Sequence, residues 1–304
     1  MDRLIEDFLR DCQTRGMSPR TLPGYKSALK SYRQYLDQAG CDVLGAGREI
    51  LRGFIEHLRA KEAATRTMEL TFSVLSSFYE YLVFEGLVDV NPVLPIRRRY
   101  LRRFKDNHDG HTRKLISVED MARLINSEME IRNKAILTLL AKTGLRRSEL
   151  IALDLKDIDW VNQSIRLKPT PKRTNRTVFF DGETAFILRR WIRVREGINR
   201  KASPALFISN FGMRLSRNGV YYSVVEAAKR IGLHDSTSER LEDHFSPHCC
   251  RHWFTTHLRR AGMRRELIQE LRGDARREAI DIYDHIDEKE LREAYLAAIP
   301  QLGV

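Results

Sequence analysis

Apolar residues recur at helical spacing through the first third of the chain. Leucine, isoleucine, phenylalanine and tyrosine side chains lie three or four positions apart in residues 4–9, 25–36, 50–58 and 65–84. This spacing places the apolar side chains on one face of each helix, where the faces can pack together. We therefore predict that residues 1–96 form a small helical domain of four or five helices.

A basic segment follows the predicted helical domain. Gly86 ends the last of its helices, and Asn91-Pro92 with Pro95 marks the exit from the domain. Residues 97–116 then carry eight Lys or Arg side chains against two acidic ones. A targeting signal or a solvated charged run would have the same composition. We favour an interdomain linker that contacts DNA through Arg97, Arg98, Arg99, Arg102, Arg103 and Lys105.

The whole chain is also basic, with a formal net charge of +12 and a pI near 9.7. This balance favours a polyanionic partner, and nucleic acid is the leading candidate. On the second predicted helix, a basic stripe lies opposite the apolar face and consists of Lys26, Lys30 and Arg33. Such a stripe is typical of a phosphate-contacting surface, and it is equally typical of a solvated face.

The rest of the chain, residues 117–304, mixes helical and strand-like patterns. Ser117 resembles a helix N-terminus, and residues 131–142 are apolar enough to form a buried helix that ends at Gly144. Residues 157–180 alternate in polarity on both sides of a PTPKRTN turn, which predicts a β-hairpin with a cationic tip. The predicted fold class is mainly α with one small β-hairpin.

Three short segments carry side chains suited to phosphate chemistry. In TGLRRSEL, Arg146 would lie at a helix start, beside backbone N–H groups that favour anions, and Glu149 can reach back to it. His248 and Arg251 lie about one helical turn apart, so both can face one phosphate. Tyr283 follows in an amphipathic segment with basic surroundings. A tyrosine near two phosphate-binding groups is a candidate nucleophile.

Together, TGLRRSEL, the cationic hairpin, H-x-x-R-H and the downstream tyrosine resemble the tyrosine recombinase, or phage-type integrase, family. The resemblance spans essentially the whole chain. It implies a two-domain architecture, with a helical core-binding domain, a basic linker and a mixed α/β catalytic domain over residues 117–304. It also implies a site-specific DNA recombinase that cleaves and rejoins strands through a 3′-phosphotyrosyl intermediate, without metal, ATP or another cofactor.

The resemblance assigns a role to each matching residue. It makes Arg146, His248 and Arg251 catalytic, Glu149 the acidic support of Arg146, and Tyr283 the nucleophile. A phosphoryl-transfer transition state spreads negative charge over its oxygens, so two arginine forks can stabilise it without a metal. A free phenol has a pKa of about 10, and His248 is the nearest plausible acceptor of its proton.

The family also uses a lysine of the β-hairpin as a general acid. The usual G-K-G pattern is missing from the hairpin turn, LKPTPKRTNR. We favour Lys172, because Arg176 and Val178 match the family's Arg-x-Val in the second strand and place Lys172 near the expected position. Lys168 and Arg173 remain the runners-up.

A departure from the family pattern occurs at Asp274. The family usually has His or Trp after the glycine that corresponds to Gly273, but an ionised carboxylate cannot donate a hydrogen bond to phosphate and would repel it. Asp274 is expected either to pair with Arg276 or Arg277 or to accept a bond from another catalytic side chain. His252, beside the catalytic pair, is expected to support it.

The resemblance and the composition also predict partners and location. The expected partners are double-stranded DNA with a specific core site and further copies of the chain in a tetrameric synapse. The helix over residues 288–299 is expected to dock onto a neighbouring protomer. The four cysteines have no C-x-x-C spacing, which fits a reducing cytoplasm. With DNA as the partner, the expected location within it is the nucleoid. The acid-rich N-terminus excludes a signal peptide or a membrane span there.

Several other interpretations compete with this one. A DNA-binding regulator with decayed strand transfer and a type IB topoisomerase would share many of these residues. Tyr295 is the competing nucleophile, although the apolar stripe around it is better explained by packing. The His and Cys residues between 244 and 257 match no structural zinc spacing, so we predict no metal site.

Overall fold

The protein is described by a computed structural model that covers residues 1–101, 114–170, 173, 175–238, 240–274 and 286–304. Within these ranges it is mostly helical, with one three-stranded antiparallel sheet. The chain divides into two compact units, Met1–Asp109 and Gly110–Val304. The predicted fold class is therefore confirmed. In the covered ranges, every helix is too short or too polar to cross a membrane.

The first unit is helical throughout its described part. Its helices are α1 (Asp2–Thr14), α2 (Leu22–Ala39), α3 (Arg48–Ala60), α4 (Thr65–Phe84) and α5 (Val93–Tyr100). The helix predicted over residues 65–84 has the same bounds as α4, which packs against both α2 and α5. Gly40 ends α2 in the left-handed conformation, with φ of 61°.

The core of this unit is rich in aromatic side chains, and its two most buried tyrosines keep their hydroxyl groups hydrogen-bonded. The Tyr32 and Tyr79 hydroxyl oxygens lie 3.1 Å apart, and the Tyr79 hydroxyl donates to the Val43 carbonyl at 2.8 Å. The rings of Phe8, Phe54, Phe72 and Phe78 surround them in the same core. Because both hydroxyl groups have partners, these large rings are buried without an unsatisfied polar group.

Helix α5 contains the first residues of the predicted basic linker. Val93 and Ile96 are buried against α3 and α4, which holds the helix onto the first unit. Pro95 lies in the first turn, where a missing N–H costs no helical hydrogen bond. The basic residues 97–99 therefore form the last turn of α5, and the predicted linker start at residue 97 falls inside this helix.

The second unit surrounds its sheet with further helices. They are α6 (Val118–Asn126), α7 (Ile131–Thr143), α8 (Arg147–Ala152), α9 (Gly182–Ile198), α10 (Arg217–Arg230), α11 (Pro247–Arg260), α12 (Arg265–Arg272) and α13 (Glu288–Ala298). The strands are β1 (Ile158–Asp159), β2 (Ser164–Arg166) and β3 (Thr177–Phe179). The predicted hairpin is β2 with β3, in which Ile165 pairs with Val178. The sequence did not reveal β1, which is only two residues long.

Helix α7 lies at the centre of the second unit. It packs against α9, α10 and α11, and residues 135–143 are all buried. The prediction of a helix buried on most sides and ended by Gly144 is confirmed, since Gly144 follows α7 with φ of 60°. A Cβ at Gly144 would lie 2.4 Å from the Phe254 ring, so α11 packs directly on the end of α7.

A lysine is fully buried near the end of α7. The Lys142 ammonium donates to Asp181 Oδ2 at 2.5 Å, to Glu183 Oε2 at 2.6 Å and to the Pro300 carbonyl at 2.6 Å. Its three N–H donors therefore all have acceptors. Glu183 in turn accepts from the Leu302 backbone N–H at 2.9 Å. This lysine cluster, Lys142 with Asp181 and Glu183, joins α7, the start of α9 and the C-terminal segment.

Helix α13 packs onto its own chain. Leu291, Tyr295, Ala298 and Ile299 are buried in one cluster with apolar side chains of α11, α12 and β3. The Tyr295 hydroxyl donates to the Lys142 carbonyl at 3.0 Å, and complete burial raises the pKa of this phenol well above its usual value. Packing therefore explains Tyr295. Docking of α13 onto a neighbouring protomer stays a prediction.

Candidate functional site: an arginine pair at the start of α8

Arg146 lies at the start of α8, as the sequence predicts, and Glu149 holds it there. The Arg146 backbone N–H donates to Glu149 Oε2 at 2.8 Å, and its Nη1 donates to Oε1 at 2.9 Å. The Glu149 side chain is buried, whereas a third of the Arg146 side chain is exposed. A buried carboxylate thus fixes the Nη1 side of the guanidinium group.

Arg251 reaches the same place from α11. It is 5% exposed, and its Nη1 donates to the Gly144 carbonyl at 2.7 Å, two residues before Arg146. Its Nη2 donates to the Arg272 carbonyl at 3.0 Å. Burial, followed by the charges of Arg146 and Arg272, lowers the pKa of Arg251 to about 10. Arg251 therefore remains a cation at neutral pH, and three segments of the chain meet at its guanidinium group.

Asp274 lies between the two arginines. Its Oδ1 is 3.4 Å from Arg146 Nη2 and 3.2 Å from Arg251 Nη2, and its Oδ2 is 3.1 Å from Arg272 Nε. Of the two expected arrangements, the structure has the one in which Asp274 accepts from catalytic candidates. Arg276 and Arg277, the other expected partners, lie outside the described residues.

Both candidate histidines of α11 occupy its first two turns. His248 is exposed in the first turn, one turn before the buried Arg251, and His252 is partly buried. Residues three and four apart share one face of a helix, so His248, Arg251 and His252 face the same side. A third histidine, His257, is buried with its Nε2 3.2 Å from the Ile116 carbonyl, and burial lowers its pKa.

Arg173, at the hairpin tip, is a part of the site whose contacts the sequence did not reveal. It is 6% exposed, and its guanidinium group donates to the Leu271 and Arg272 carbonyls, each at 2.6 Å. Its Nη1 also lies 3.7 Å from Glu149 Oε2. Burial lowers the pKa of Arg173. This residue therefore ties the hairpin to the C-terminus of α12 and to the carboxylate that holds Arg146.

The close approach of Arg173 also explains the glycine that ends α12. Gly273 has φ of 59°, in the region that favours glycine, and a Cβ there would lie 2.3 Å from Arg173 Cγ. A larger residue would push the hairpin tip away from α12. Nothing in the sequence distinguishes Arg173 from the other basic residues of the turn, because its burial depends on tertiary packing.

Lys168, one of the hairpin candidates, belongs to a different group of charges. Its Nζ donates to Asp154 Oδ2 at 2.6 Å, and Arg214 Nη2 donates to Asp154 Oδ1 at 2.5 Å. Burial alone would raise the pKa of Asp154, but these two cations outweigh it and hold the pKa below its usual value. Lys168 is thus bound to a carboxylate that does not contact the arginine pair.

The remaining candidates are only partly described. Five candidates lie outside the described residues: Lys172, Tyr283, Arg102, Arg103 and Lys105. In the first unit, Lys26 and Lys30 are exposed, as are Arg98 and Arg99, while Arg97 is half-buried. Arg33 forms ion pairs with Asp2 and Asp37, so part of its charge is already balanced.

Two family models match the chain. The one described as the phage integrase family matches residues 114–290, more than half of the chain. The one described as the phage integrase N-terminal SAM-like domain matches residues 5–86. The first range contains the described arginine pair and also the position of Tyr283.

The chain is also similar to curated proteins over almost its full length. It is 28% identical to tyrosine recombinase XerC of Vibrio cholerae serotype O1 over 298 residues, covering 94% of this chain and 89% of that protein. It is 29% identical to tyrosine recombinase XerC of Escherichia coli O139:H28 over 308 residues, covering 98% of this chain and 96% of that protein.

Solved structures share the fold at lower identity. The Tn1549 transposon integrase, solved in complex with transposon right end DNA, matches with a TM-score of 0.71 and 18% identity, covering 95% of this chain and 97% of that one. A lambda integrase dimer bound to a COC′ core site matches with a TM-score of 0.71 and 15% identity, covering 95% and 80%.

Proposed function

Because this chain belongs to the phage integrase family and is a site-specific tyrosine recombinase, we propose that its arginine pair binds the scissile phosphate of DNA. One observation carries the proposal: the Arg146 and Arg251 guanidinium groups converge on a single anionic oxygen, Asp274 Oδ1, at 3.4 and 3.2 Å. Guanidinium forks match the geometry of phosphate oxygens. A non-bridging phosphate oxygen could take the place of that carboxylate oxygen.

The pair would act mainly on the transition state. Negative charge spreads over the non-bridging oxygens as the phosphoryl group transfers, and fixed cations in a partly buried site stabilise it strongly. Glu149 and the Gly144 carbonyl already orient the two guanidinium groups. The two guanidinium groups themselves then need to move little when DNA binds. We propose that no metal and no nucleotide cofactor takes part.

Tyr283 is the proposed nucleophile, with His248 as the acceptor of its proton. The phenolate oxygen attacks the scissile phosphorus, a 3′-phosphotyrosyl bond forms, and the 5′-oxygen leaves as a hydroxyl group. Attack by the 5′-hydroxyl of the partner strand reverses the step and releases the tyrosine. The exposed position of His248, one turn from Arg251, supports its role, because a proton acceptor must reach both the tyrosine and the phosphate.

Lys172 is proposed as the general acid that protonates the leaving 5′-oxygen. The contacts of Lys168 support this choice, since its ammonium group is bound to Asp154. We expect Lys172→Ala to slow strand cleavage by about 100-fold, within the usual range for loss of a general acid. A substrate with sulfur in place of the bridging 5′-oxygen should restore the rate, because a thiolate leaves without a proton.

Lys168→Ala is the matched control for that experiment. It removes the same charge from the same hairpin, so a general electrostatic effect on DNA binding would appear in both variants. We expect cleavage by Lys168→Ala to stay within about threefold of the parent and to show no selective gain with sulfur. Selective rescue of Lys168→Ala instead would assign the general acid to Lys168.

The proposed partner is double-stranded DNA with a specific core site. Two observations support it: the basic charge of the chain, and the solved integrases of the same fold that are bound to DNA. In the first unit, the exposed Lys26 and Lys30 and the basic turn over residues 97–99 are proposed phosphate contacts, with Arg33 contributing less because it is paired. The basic residues Arg102, Arg103 and Lys105 are proposed to extend this surface.

We also propose that the active assembly on DNA contains several copies of the chain, four in a complete synapse. Support comes from the lambda integrase structure, which is described as a dimer on its core site. Helix α13 is the proposed exchange element, because it packs through one apolar stripe. In such an exchange, this stripe would pack against the same α11, α12 and β3 side chains of a neighbouring copy.

The arginine proposal is tested by a substitution that keeps the charge. Lysine cannot make the bidentate contacts of arginine. Arg251→Lys should therefore slow covalent complex formation on nicked DNA by about 100-fold. Arg195→Lys is the matched control. Arg195, in α9, is also buried and donates to the Ala205 and Ser203 carbonyls, away from the contacts of the arginine pair. Equal losses in both variants would mean that Arg251 acts only through stability.

A further inference from the structure

The two arginines converge on one carboxylate oxygen. Arg146 Nη2 and Arg251 Nη2 both approach Asp274 Oδ1, at 3.4 and 3.2 Å. Two guanidinium groups that approach the same point repel each other, and a shared anion offsets this repulsion. The carboxylate of Asp274 therefore occupies the place where the arginine pair would hold an oxygen of phosphate, and it keeps the pair together before DNA arrives.

Asp274 also contacts a third arginine, Arg272. Its other oxygen, Oδ2, lies 3.1 Å from Arg272 Nε. A rotation of the carboxylate towards Arg272 would release both Nη2 groups from Asp274 and still leave Asp274 paired. The three arginines thus give this carboxylate two alternative sets of partners.

The exposure of these groups indicates how an incoming anion would reach the pair. The side chains of Asp274 and Arg146 are 29% and 33% exposed, whereas that of Arg251 is 5% exposed. An anion from solvent would therefore meet Asp274 and Arg146 first and displace the carboxylate from the open side. Arg251 would hold its position through the Gly144 and Arg272 carbonyls during this exchange.

We propose that Asp274 is an internal substitute for the scissile phosphate: it positions Arg146 and Arg251 in the free protein and must be displaced before they can bind a phosphate group. This inference rests on the proposed function of the arginine pair. It makes Asp274 a positioning residue that competes with the substrate. A free tetrahedral oxyanion should meet the same competition as the DNA phosphate does.

The test is calorimetric titration of the 304-residue chain, free of DNA, with inorganic phosphate at constant ionic strength. Asp274→Asn keeps the shape of the side chain and removes its charge, so it should bind phosphate at least about tenfold more tightly than the parent. Asp274→Ser should show the same gain if asparagine disturbs folding. Adding Arg146→Ala to Asp274→Asn should abolish the gain, because the phosphate then lacks one of its two arginines.

Glu226→Gln provides the charge-matched control. Glu226 is a surface residue of α10 paired with Lys229, so its substitution changes the net charge equally without touching the arginine pair. Unchanged phosphate affinity in Asp274→Asn and Asp274→Ser, or an equal gain in Glu226→Gln, would overturn the proposal.

Repeating the titrations in Tyr283→Phe separates this inference from the proposed function, because phosphate binding needs no nucleophile. A tighter Asp274→Asn complex without any covalent DNA adduct in the parent would leave the inference standing and contradict the proposed function. Covalent adducts with no effect of Asp274→Asn or Asp274→Ser on phosphate affinity would contradict the inference alone.

Discussion

Replacing Lys142 with methionine is expected to destabilise the second unit by about 3–5 kcal/mol, the usual cost of removing one partner from a buried ion pair. Methionine fills a similar volume but leaves Asp181 and Glu183 without the cation that both contact. The Pro300 carbonyl would also lose a donor. The loss should free the C-terminal segment from α9 as well as weaken the core.

Tryptophan fluorescence during urea unfolding of the full chain measures this effect. All three tryptophans, at positions 160, 191 and 253, lie in the second unit, so the signal reports that unit alone. Lys134→Met is the matched control on the same helix. Lys134 donates to Asn126 Oδ1 at 3.0 Å, so its loss removes one hydrogen bond and should cost about 1 kcal/mol. Equal losses for the two substitutions would contradict the role given to the lysine cluster.

The loss of stability in Lys142→Met should also depend on pH. Burial would raise the pKa of Glu183, but its bond to Lys142 and the amides of the C-terminal segment outweigh burial and lower it from 4.5. In the parent, this contribution to stability is present above pH 4.5 and is lost as the pH falls through the lowered pKa. Without Lys142, burial dominates and the carboxyl favours its protonated form. The difference in unfolding free energy between Lys142→Met and the parent should therefore become smaller as the pH falls towards 4.5.

Local sequence patterns were enough to predict most of the secondary structure. The helices predicted from apolar spacing are present, because side chains three or four residues apart lie on one buried face in each. Ser117 accepts from the Asp120 backbone N–H at 2.9 Å, as its cap position predicts. Arg146 and Glu149 meet because they lie three residues apart across a helix start. Each of these contacts is local in sequence.

Contacts between distant segments could not be predicted in this way. Lys142 looks like an ordinary polar position at the end of an apolar helix, yet its acceptors come from residues 181, 183 and 300. Arg173 looks like one basic residue among several in the hairpin turn, yet it lies 3.7 Å from the Glu149 carboxylate that holds Arg146. Their roles depend on how α7, α11, α12 and the hairpin pack, which periodicity does not encode.

The arginine site suggests why this chain can do without the usual donor after Gly273. A histidine or tryptophan there would donate to phosphate only after DNA binds. Asp274 instead contacts Arg146, Arg251 and Arg272 in the free protein. Asp274 therefore cannot donate a hydrogen bond to the phosphate, but it positions the arginines before DNA binds. Its negative charge also competes with the phosphate for them.

The most direct test of the central claim is covalent trapping on DNA. The protein is incubated with a library of nicked duplexes, species that survive denaturation are isolated, and the attached DNA is sequenced. Tyr283→Phe and Tyr295→Phe are compared with the parent, since both remove one phenol oxygen but Tyr295 is buried against Lys142. We expect adducts with the parent and with Tyr295→Phe, and none with Tyr283→Phe, because phenylalanine has no nucleophilic oxygen. Adducts formed by Tyr283→Phe, or no adduct from the parent despite tight and salt-sensitive DNA binding, would contradict the account.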